Sequence, residues 1–197
     1  TYDMIILCLH HRIAVQMVQE ALPKIPAGTI LVDTCGLKGR MVRDLTYRCQ
    51  KAGVRYVGTH PMAGREKNGY YASIPDLFQN ANLIVTPVDG TDEAALDTVK
   101  ELAKQMGFGK IVTATPMWHD NMIAYTSQLA HVVSSSYVKD FCMDDALSFS
   151  GGSFQDMTRV ATMDESMWAL LFLDNRDNLL YHLDLLIENL TDYRDAL

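Results

Sequence analysis

Thr29-Ile30-Leu31-Val32-Asp33-Thr34-Cys35-Gly36-Leu37-Lys38 decides the fold: an aliphatic, β-branched run stops at an acid and gives way to small residues. A run of that length and composition, bounded by turn formers, reads as a strand. Working outward, Met4 to Leu9, Tyr56 to His60, Leu83 to Thr86 and Lys110 to Ala114 have the same character. Helical periodicity fills gaps between them. Ala95, Val99, Leu102 and Met106 recur at i, i+4, i+7 and i+11, with Thr91 as the expected N-cap and Gly107 as the stop. Short strands alternating with helices specify an α/β fold, a mostly parallel sheet covered by helices. Gly64 to Gln79 has no clean period and contains Gly64, Gly69 and Pro75, so it reads as a long functional loop or a short helical excursion.

Beyond Pro116 the strand signals end. The domain boundary is placed near Thr115, dividing residues 1–115 from an all-helical 116–197. The first helix there, Trp118 to about Phe141, sets Met122, Tyr125, Leu129, Val132 and Val133 on one face and Asp120, Ala124, Ser127, His131 and Ser135 on the other. The Gly151-Gly152 turn separates it from the last helices. Leu179, Leu183, Leu186 and Leu190, with Leu180 and Ile187, give the final helix a broader apolar surface than one supporting helix pair needs, so a homodimer through this domain is expected.

Composition narrows the function. The chain has 197 residues, of which 48% are apolar and 21% charged, with 12 Gly and 6 Pro, which excludes wholesale disorder, collagen and low-complexity readings. Its 17 Lys plus Arg against 24 Asp plus Glu leave a net charge of -7, which repels phosphate backbones and anionic membranes, so neither is an expected partner. The longest apolar runs, Met4 to Leu9 and Met167 to Leu173, fall far short of the roughly 20 residues that span a bilayer. No basic, signal-like start precedes them, and a soluble, cytoplasmic protein is expected. Cys8, Cys35, Cys49 and Cys142 form no C-x-x-C pair and read as reduced structural thiols. The chain starts at Thr1 and enters a strand within two residues, so a fragment or processed product is expected.

In an open parallel sheet the ligand lies beyond the carboxyl ends of the strands. Here those ends are polar. The first strand runs into His10-His11, the second ends at Asp33, and the third delivers His60 within Gly58-Thr59-His60-Pro61-Met62-Ala63-Gly64. His60 is either a satisfied core histidine or a general base. Pro61 fixes the backbone after it, Gly64 frees it, and Arg65, Glu66 and Lys67 supply charge, which suits proton abstraction near an anionic substrate. Asp33 either caps the next helix or meets a cofactor. His131 either bonds a neighbouring helix or meets a ligand. Arg159 follows two glycines in Gly151-Gly152-Ser153-Phe154-Gln155-Asp156-Met157-Thr158-Arg159 and suits bidentate capture of a carboxylate, against the plainer reading of a surface salt bridge. Met167 and Trp168 read as core, and Asp140 to Asp145 as a solvated loop.

Taken together, Asp33 to Lys38, His60-Pro61-Met62-Ala63-Gly64 with Glu66-Lys67-Asn68-Gly69, His119-Asp120, Ser127-Gln128-Leu129-Ala130-His131 and Gly151 to Arg159 resemble, in order, the motifs of the prephenate/arogenate dehydrogenase family of tyrosine biosynthesis. The resemblance spans essentially the whole chain. It implies part of a Rossmann-type dinucleotide-binding domain over 1–115 and a helical substrate-binding and dimerisation domain over 116–197. It implies NAD(P)-dependent oxidative decarboxylation of prephenate, or its amino analogue arogenate, to 4-hydroxyphenylpyruvate or tyrosine. By the same resemblance His60 is the catalytic base. His131, Arg159, Gln128, Gly36 and Ser127 stand at substrate-binding positions, and Leu9, His10 and Asp33 at cofactor-binding ones. No metal is implied.

This sequence departs from the family pattern at three places. Gly36 stands where many members have serine, with Cys35 where the glycine would be, so one hydroxyl contact to substrate and histidine is missing. Gln128 and Ala130 replace the first histidine and the proline of a Ser-His-Leu-Pro-His motif; Gln128 hydrogen-bonds but does not titrate. No G-x-G-x-x-G turn occurs anywhere, so the first βαβ unit is expected to precede Thr1 and these 197 residues to bind NAD or NADP weakly.

Two rival readings share some of these residues. A metal-dependent phosphohydrolase would use His119, Asp120, His60, His10, His11 and His131, though no H-x-x-x-H spacing occurs. A non-catalytic dimer that binds tyrosine or prephenate would keep Arg159 and His131 without a cofactor turn.

Overall fold

The computed structural model describes residues 2–65 and 69–197; the charges expected at Glu66 and Lys67 lie outside the described residues. Five strands, β1 (Met4–Leu7), β2 (Ile30–Asp33), β3 (Arg55–Pro61), β4 (Asn82–Val85) and β5 (Lys110–Thr113), form one sheet in sequential order. β1 with β2, β2 with β3 and β4 with β5 pair in parallel, while β3 and β4 are antiparallel. The reason lies in the connections. Parallel neighbours need a crossover, and helices α1 (His11–Ala21), α2 (Gly39–Lys51) and α3 (Glu93–Gln105) provide them. Between β3 and β4 the described chain holds one short 3₁₀ turn, Tyr70–Ala72, and comes back antiparallel.

The alternation of strand side chains sets two core layers. Leu31 and Tyr56 pack with Ala14 and Val18 of α1 and Met41, Leu45 and Cys49 of α2. Ile30, Val32 and Val57 point to the other face, against Ala95 and Val99 of α3. Both faces are covered, which is why all four residues of β2 are buried; the three aliphatic side chains, Ile30, Leu31 and Val32, each contribute about 1.5–3 kcal/mol on burial. β1 ends at Leu7, two residues earlier than its sequence suggests, because Cys8 to His10 turn away into α1.

Helix α3 lies where its periodicity puts it, with the cap displaced by one residue. Asp92, not Thr91, is the N-cap and accepts from the Ala95 N–H at 2.7 Å; Thr91 Oγ1 instead accepts from the Val88 N–H. At the far end Gly107 takes φ +88°. The Gly107 N–H bonds the Lys104 carbonyl and the Phe108 N–H that of Ala103, the paired closure of a Schellman motif.

The chain divides into two compact units, residues 1–119 and 120–197, with the division inside α4 (Pro116–Ile123). The second unit is helical: a π turn (Ala124–Gln128) leads into α5 (Leu129–Tyr137), followed by α6 (Met143–Ala146), α7 (Gly152–Thr158), α8 (Glu165–Asp174) and α9 (Arg176–Ala196). The long helix expected to reach Phe141 stops at Tyr137, and its two expected faces do not hold. Ala124, assigned to the polar stripe, is buried, and Tyr125, assigned to the apolar face, is 56% exposed. A π turn carries an extra residue per turn and so rotates everything after it. Leu179, Leu183 and Leu186 of α9 pack around Ala124 and Leu129, while Leu180, Ile187 and Leu190 are exposed on this single chain. Among the described residues no helix is long and apolar enough to cross a membrane.

Candidate active site

Because β1, β2 and β3 are parallel neighbours, their carboxyl ends lie side by side, and Leu9-His10, Asp33 to Gly36 and His60 follow one another along one edge of the sheet. Leu9 and His10 occupy the turn from β1 into α1, where Leu9 is partly exposed and its carbonyl accepts from Cys35 Sγ at 3.2 Å.

A buried polar cluster fixes this edge. Lys38 and Asp33 are fully enclosed and ion-paired. The Lys38 ammonium also donates to the Thr59 carbonyl at 2.5 Å, the Thr59 hydroxyl donates to the Asp33 carbonyl at 2.5 Å, and Tyr56 Oη donates to Asp33 Oδ2 at 2.7 Å. Asp33 Oδ1 further accepts from the Cys35 N–H at 2.9 Å. Both oxygens of Asp33 are thus engaged with the protein. The helix-cap expectation does not hold, since α2 begins after Lys38 without a side-chain cap, and the Asp33 carboxylate is buried with both oxygens bonded within the protein. What Asp33 does is clamp the 34–38 loop to β3. Burial, with the Asp33 charge adding to it and Lys38 opposing, pushes the Cys35 thiol up to about 12. Burial first, then the Asp33 charge and hydrogen bond, holds the Tyr56 phenol well above its usual value.

His60, next to the clamped Thr59, has two distinct ring faces. Nδ1 lies 2.9 Å from Nε2 of His119, whose side chain is buried. On the other side, a Cβ built on Gly36 would sit 4.0 Å from His60 Nε2, at ordinary van der Waals contact, so Gly36 brings the 34–38 loop alongside that nitrogen. The strand register explains how His119 arrives. Thr113 pairs with Val85 and Val85 with Thr59, so α4 starts level with the end of β3.

In the helical unit, His131 Nδ1 lies 2.9 Å from the Ser127 carbonyl; a carbonyl only accepts, so the proton is on Nδ1 and Nε2 is the acceptor face. Its ring stacks on Trp168 with centroids 3.7 Å apart and planes at 28°. Trp168, read from sequence as plain core, is thus half-buried against His131, and Met167 is exposed rather than core. Gln128 does not present its amide to a ligand as expected. It is buried, donating to the Leu171 carbonyl and accepting from Asn175 Nδ2, both at 2.9 Å, because the π turn swings it into the helix packing. Ser127 takes part through its carbonyl. Arg159 begins a 3₁₀ turn, Arg159–Ala161, that packs on α5, the helix of His131, and it is solvent-exposed. Gly151 and Gly152 at the start of α7 have open space where a Cβ would be.

Among the described residues no three of His, Cys, Asp and Glu gather as metal ligands, so the phosphohydrolase reading finds no centre there. The family model "Prephenate dehydrogenase, nucleotide-binding domain" matches residues 1–113, and "Prephenate dehydrogenase, dimerization domain" matches residues 115–197. The chain belongs to the prephenate dehydrogenase family.

Curated relatives agree with that membership. The chain is 32% identical to the cyclohexadienyl dehydrogenase of Zymomonas mobilis over 99% of this chain and 68% of the relative, and 32% identical to the prephenate dehydrogenase of Bacillus subtilis over 79% of this chain and 43% of the relative. Among solved structures, the prephenate dehydrogenase of A. aeolicus in complex with hydroxyphenyl propionate and NAD+ superposes with a TM-score of 0.85 at 28% identity, covering 98% of this chain and 68% of that one. The chain therefore spans between two fifths and about two thirds of the length of these dehydrogenases. Three residues of the two units were not among those singled out from sequence as site residues: Lys38, His119 and Trp168. Lys38 and His119 stood in recognised motifs, yet neither they nor Trp168 carry a local signal of their tertiary partners.

Proposed function

We propose that this chain carries the catalytic base and the substrate-binding groups of an NAD(P)-dependent dehydrogenase that oxidatively decarboxylates prephenate, or arogenate, giving 4-hydroxyphenylpyruvate or tyrosine. The observation that carries the reading is His60 at the end of β3, held through Nδ1 by His119 with Gly36 beside Nε2. The family match and the relatives named above support it.

The fit to a dinucleotide rests on the edge formed by Leu9, His10 and Gly36, where the missing Cβ at Gly36 and the exposed Leu9 leave a surface for a flat ring. The dinucleotide, when bound, supplies the hydride acceptor. Everything else falls to side chains of this chain. His60 Nε2 takes the proton of the ring hydroxyl as the carbon–oxygen double bond forms, a role that contributes about 10²- to 10⁴-fold in rate. Departure of the ring carboxylate as CO2 then leaves its bonding pair in the ring and aromatises the product. Arg159 binds a substrate carboxylate through its guanidinium, in a protein whose net charge of -7 otherwise repels an anion, and His131 Nε2 accepts from a hydrogen-bond donor of the substrate. Ser127 orients His131, Gln128 keeps α5 against α8 and α9, and Asp33 shapes the loop at Gly36. The exposed leucines of α9 seat a second copy, giving a homodimer.

Steady-state assay of the natural gene product carrying this sequence, with prephenate and arogenate each paired with NAD and NADP, tests the reading. Turnover of at least one pair is expected, and replacing Arg159 by Ala is expected to weaken substrate capture, read as a fall in kcat/KM with KM raised. Absence of turnover with all four pairs in a folded protein contradicts it.

A further inference from the structure

His119 is the fourth residue of α4. Its backbone N–H bonds the Thr115 carbonyl at 2.9 Å, which closes the first turn of the helix. The side chain turns inward and is 1% exposed. Its Nε2 lies 2.9 Å from His60 Nδ1, with the rings edge-on at 63° and centroids 5.1 Å apart. A hydrogen bond between two imidazole nitrogens has one donor and one acceptor, so the two tautomers are coupled.

Only one assignment makes His60 a base. If His119 Nε2–H donates, Nδ1 of a neutral His60 must accept, the His60 ring proton sits on Nε2, and that nitrogen offers substrate a donor. If His119 Nε2 accepts, the ring proton of His60 sits on Nδ1 and Nε2 keeps its lone pair. We propose that His119 is the positioning residue that selects the second state, accepting from His60 Nδ1–H and carrying its own ring proton on Nδ1. When the substrate O–H bond breaks, its proton forms the His60 Nε2–H bond, the positive charge stays on the His60 ring, and the Nδ1–H···Nε2 bond to His119 persists. No proton passes to His119. Gly36 and His119 thus flank the two ring nitrogens of His60: Gly36 lies beside Nε2, and His119 keeps that nitrogen unprotonated.

This assignment rests on the reading of His60 as the base, and the test separates the two. ¹⁵N-histidine NMR of the chain, at a pH where both rings are neutral, reads each tautomer from its nitrogen shifts, and a coupling across the N–H···N bond reports the pair directly. The expected result is His60 as Nδ1–H, with a coupling to His119 Nε2. His119→Leu removes the acceptor, so His60 is expected to shift to the Nε2–H form and kcat to fall by roughly 10-fold or more with KM nearly unchanged. His119→Gln, whose amide oxygen accepts, is expected to keep the Nδ1–H form and most of the turnover. An Nε2–H tautomer of His60 in the unsubstituted chain overturns the assignment even if His119→Leu fails to fold, as does an unchanged tautomer in a folded His119→Leu. If His60→Asn retains turnover, the base reading falls instead.

Discussion

Tyr56 Oη donates to Asp33 Oδ2 at 2.7 Å across two neighbouring parallel strands, in a buried site that also holds Lys38. The native state therefore keeps this phenol protonated, and the buried Cys35 and Cys49 thiols, pushed up to about 12 and about 11 by desolvation first, stay protonated with it. Raised folded values mean that the stabilisation is complete below the unfolded values, about 8.5 for thiols and about 10 for tyrosine, and is lost as pH rises beyond them. Denaturant midpoints measured from pH 8 to 11 are expected to fall over the upper part of that range, each group adding up to about 1.4 kcal/mol per pH unit. A flat profile contradicts the burial described.

The Lys38–Asp33 pair makes a second, separable prediction. Lys38→Met leaves the enclosed Asp33 carboxylate without its counter-ion, which costs about 3–5 kcal/mol. Asp33→Asn added to Lys38→Met is expected to recover part of that loss, measured by chemical unfolding, because no charge then remains unpaired.

Gly36 has no left-handed backbone to protect, so a larger residue there tests access rather than folding. Gly36→Leu crowds His60 Nε2 and is expected to leave the unfolding midpoint within about 1 kcal/mol while cutting kcat/KM by roughly 100-fold or more. Unaltered kcat/KM places the reacting substrate elsewhere.

Thiol labelling reads the same edge chemically. Cys8 and Cys142 are exposed and Cys35 and Cys49 buried. Iodoacetamide at pH 8 is expected to modify the first two in the native chain and all four after unfolding, quantified by peptide mass, since a buried, protonated thiol is a poor nucleophile. Rapid native labelling of Cys35 contradicts the clamped loop.

Gly58 shows why the third strand was readable and its surroundings were not. The run Tyr56 to His60 announces a strand by composition alone, yet a Cβ on Gly58 would stand 2.7 Å from Thr86 Oγ1, a crowding that exists only once β4 is in place. Asp33 and His60 were legible as strand ends because chain order and apolar runs are local signals. Lys38 was not, since lysine is almost never enclosed unless paired and its partners sit on two other segments. The helical unit misled for a geometric reason. A fixed period of 3.6 cannot see the π turn at Ala124–Gln128, which buries Gln128 and Ala124 and exposes Tyr125. His131 lies beyond that turn, with Nδ1 2.9 Å from the Ser127 carbonyl within it.

The most direct measurement is the steady-state rate of the His60→Asn variant of the natural gene product, with prephenate or arogenate as its hydroxyl-bearing substrate. Asparagine keeps the volume and a polar amide but takes up no proton, so kcat is expected to fall by at least about 100-fold with KM little changed. A His60→Asn protein that turns over at close to the unsubstituted rate would show that another group removes the proton.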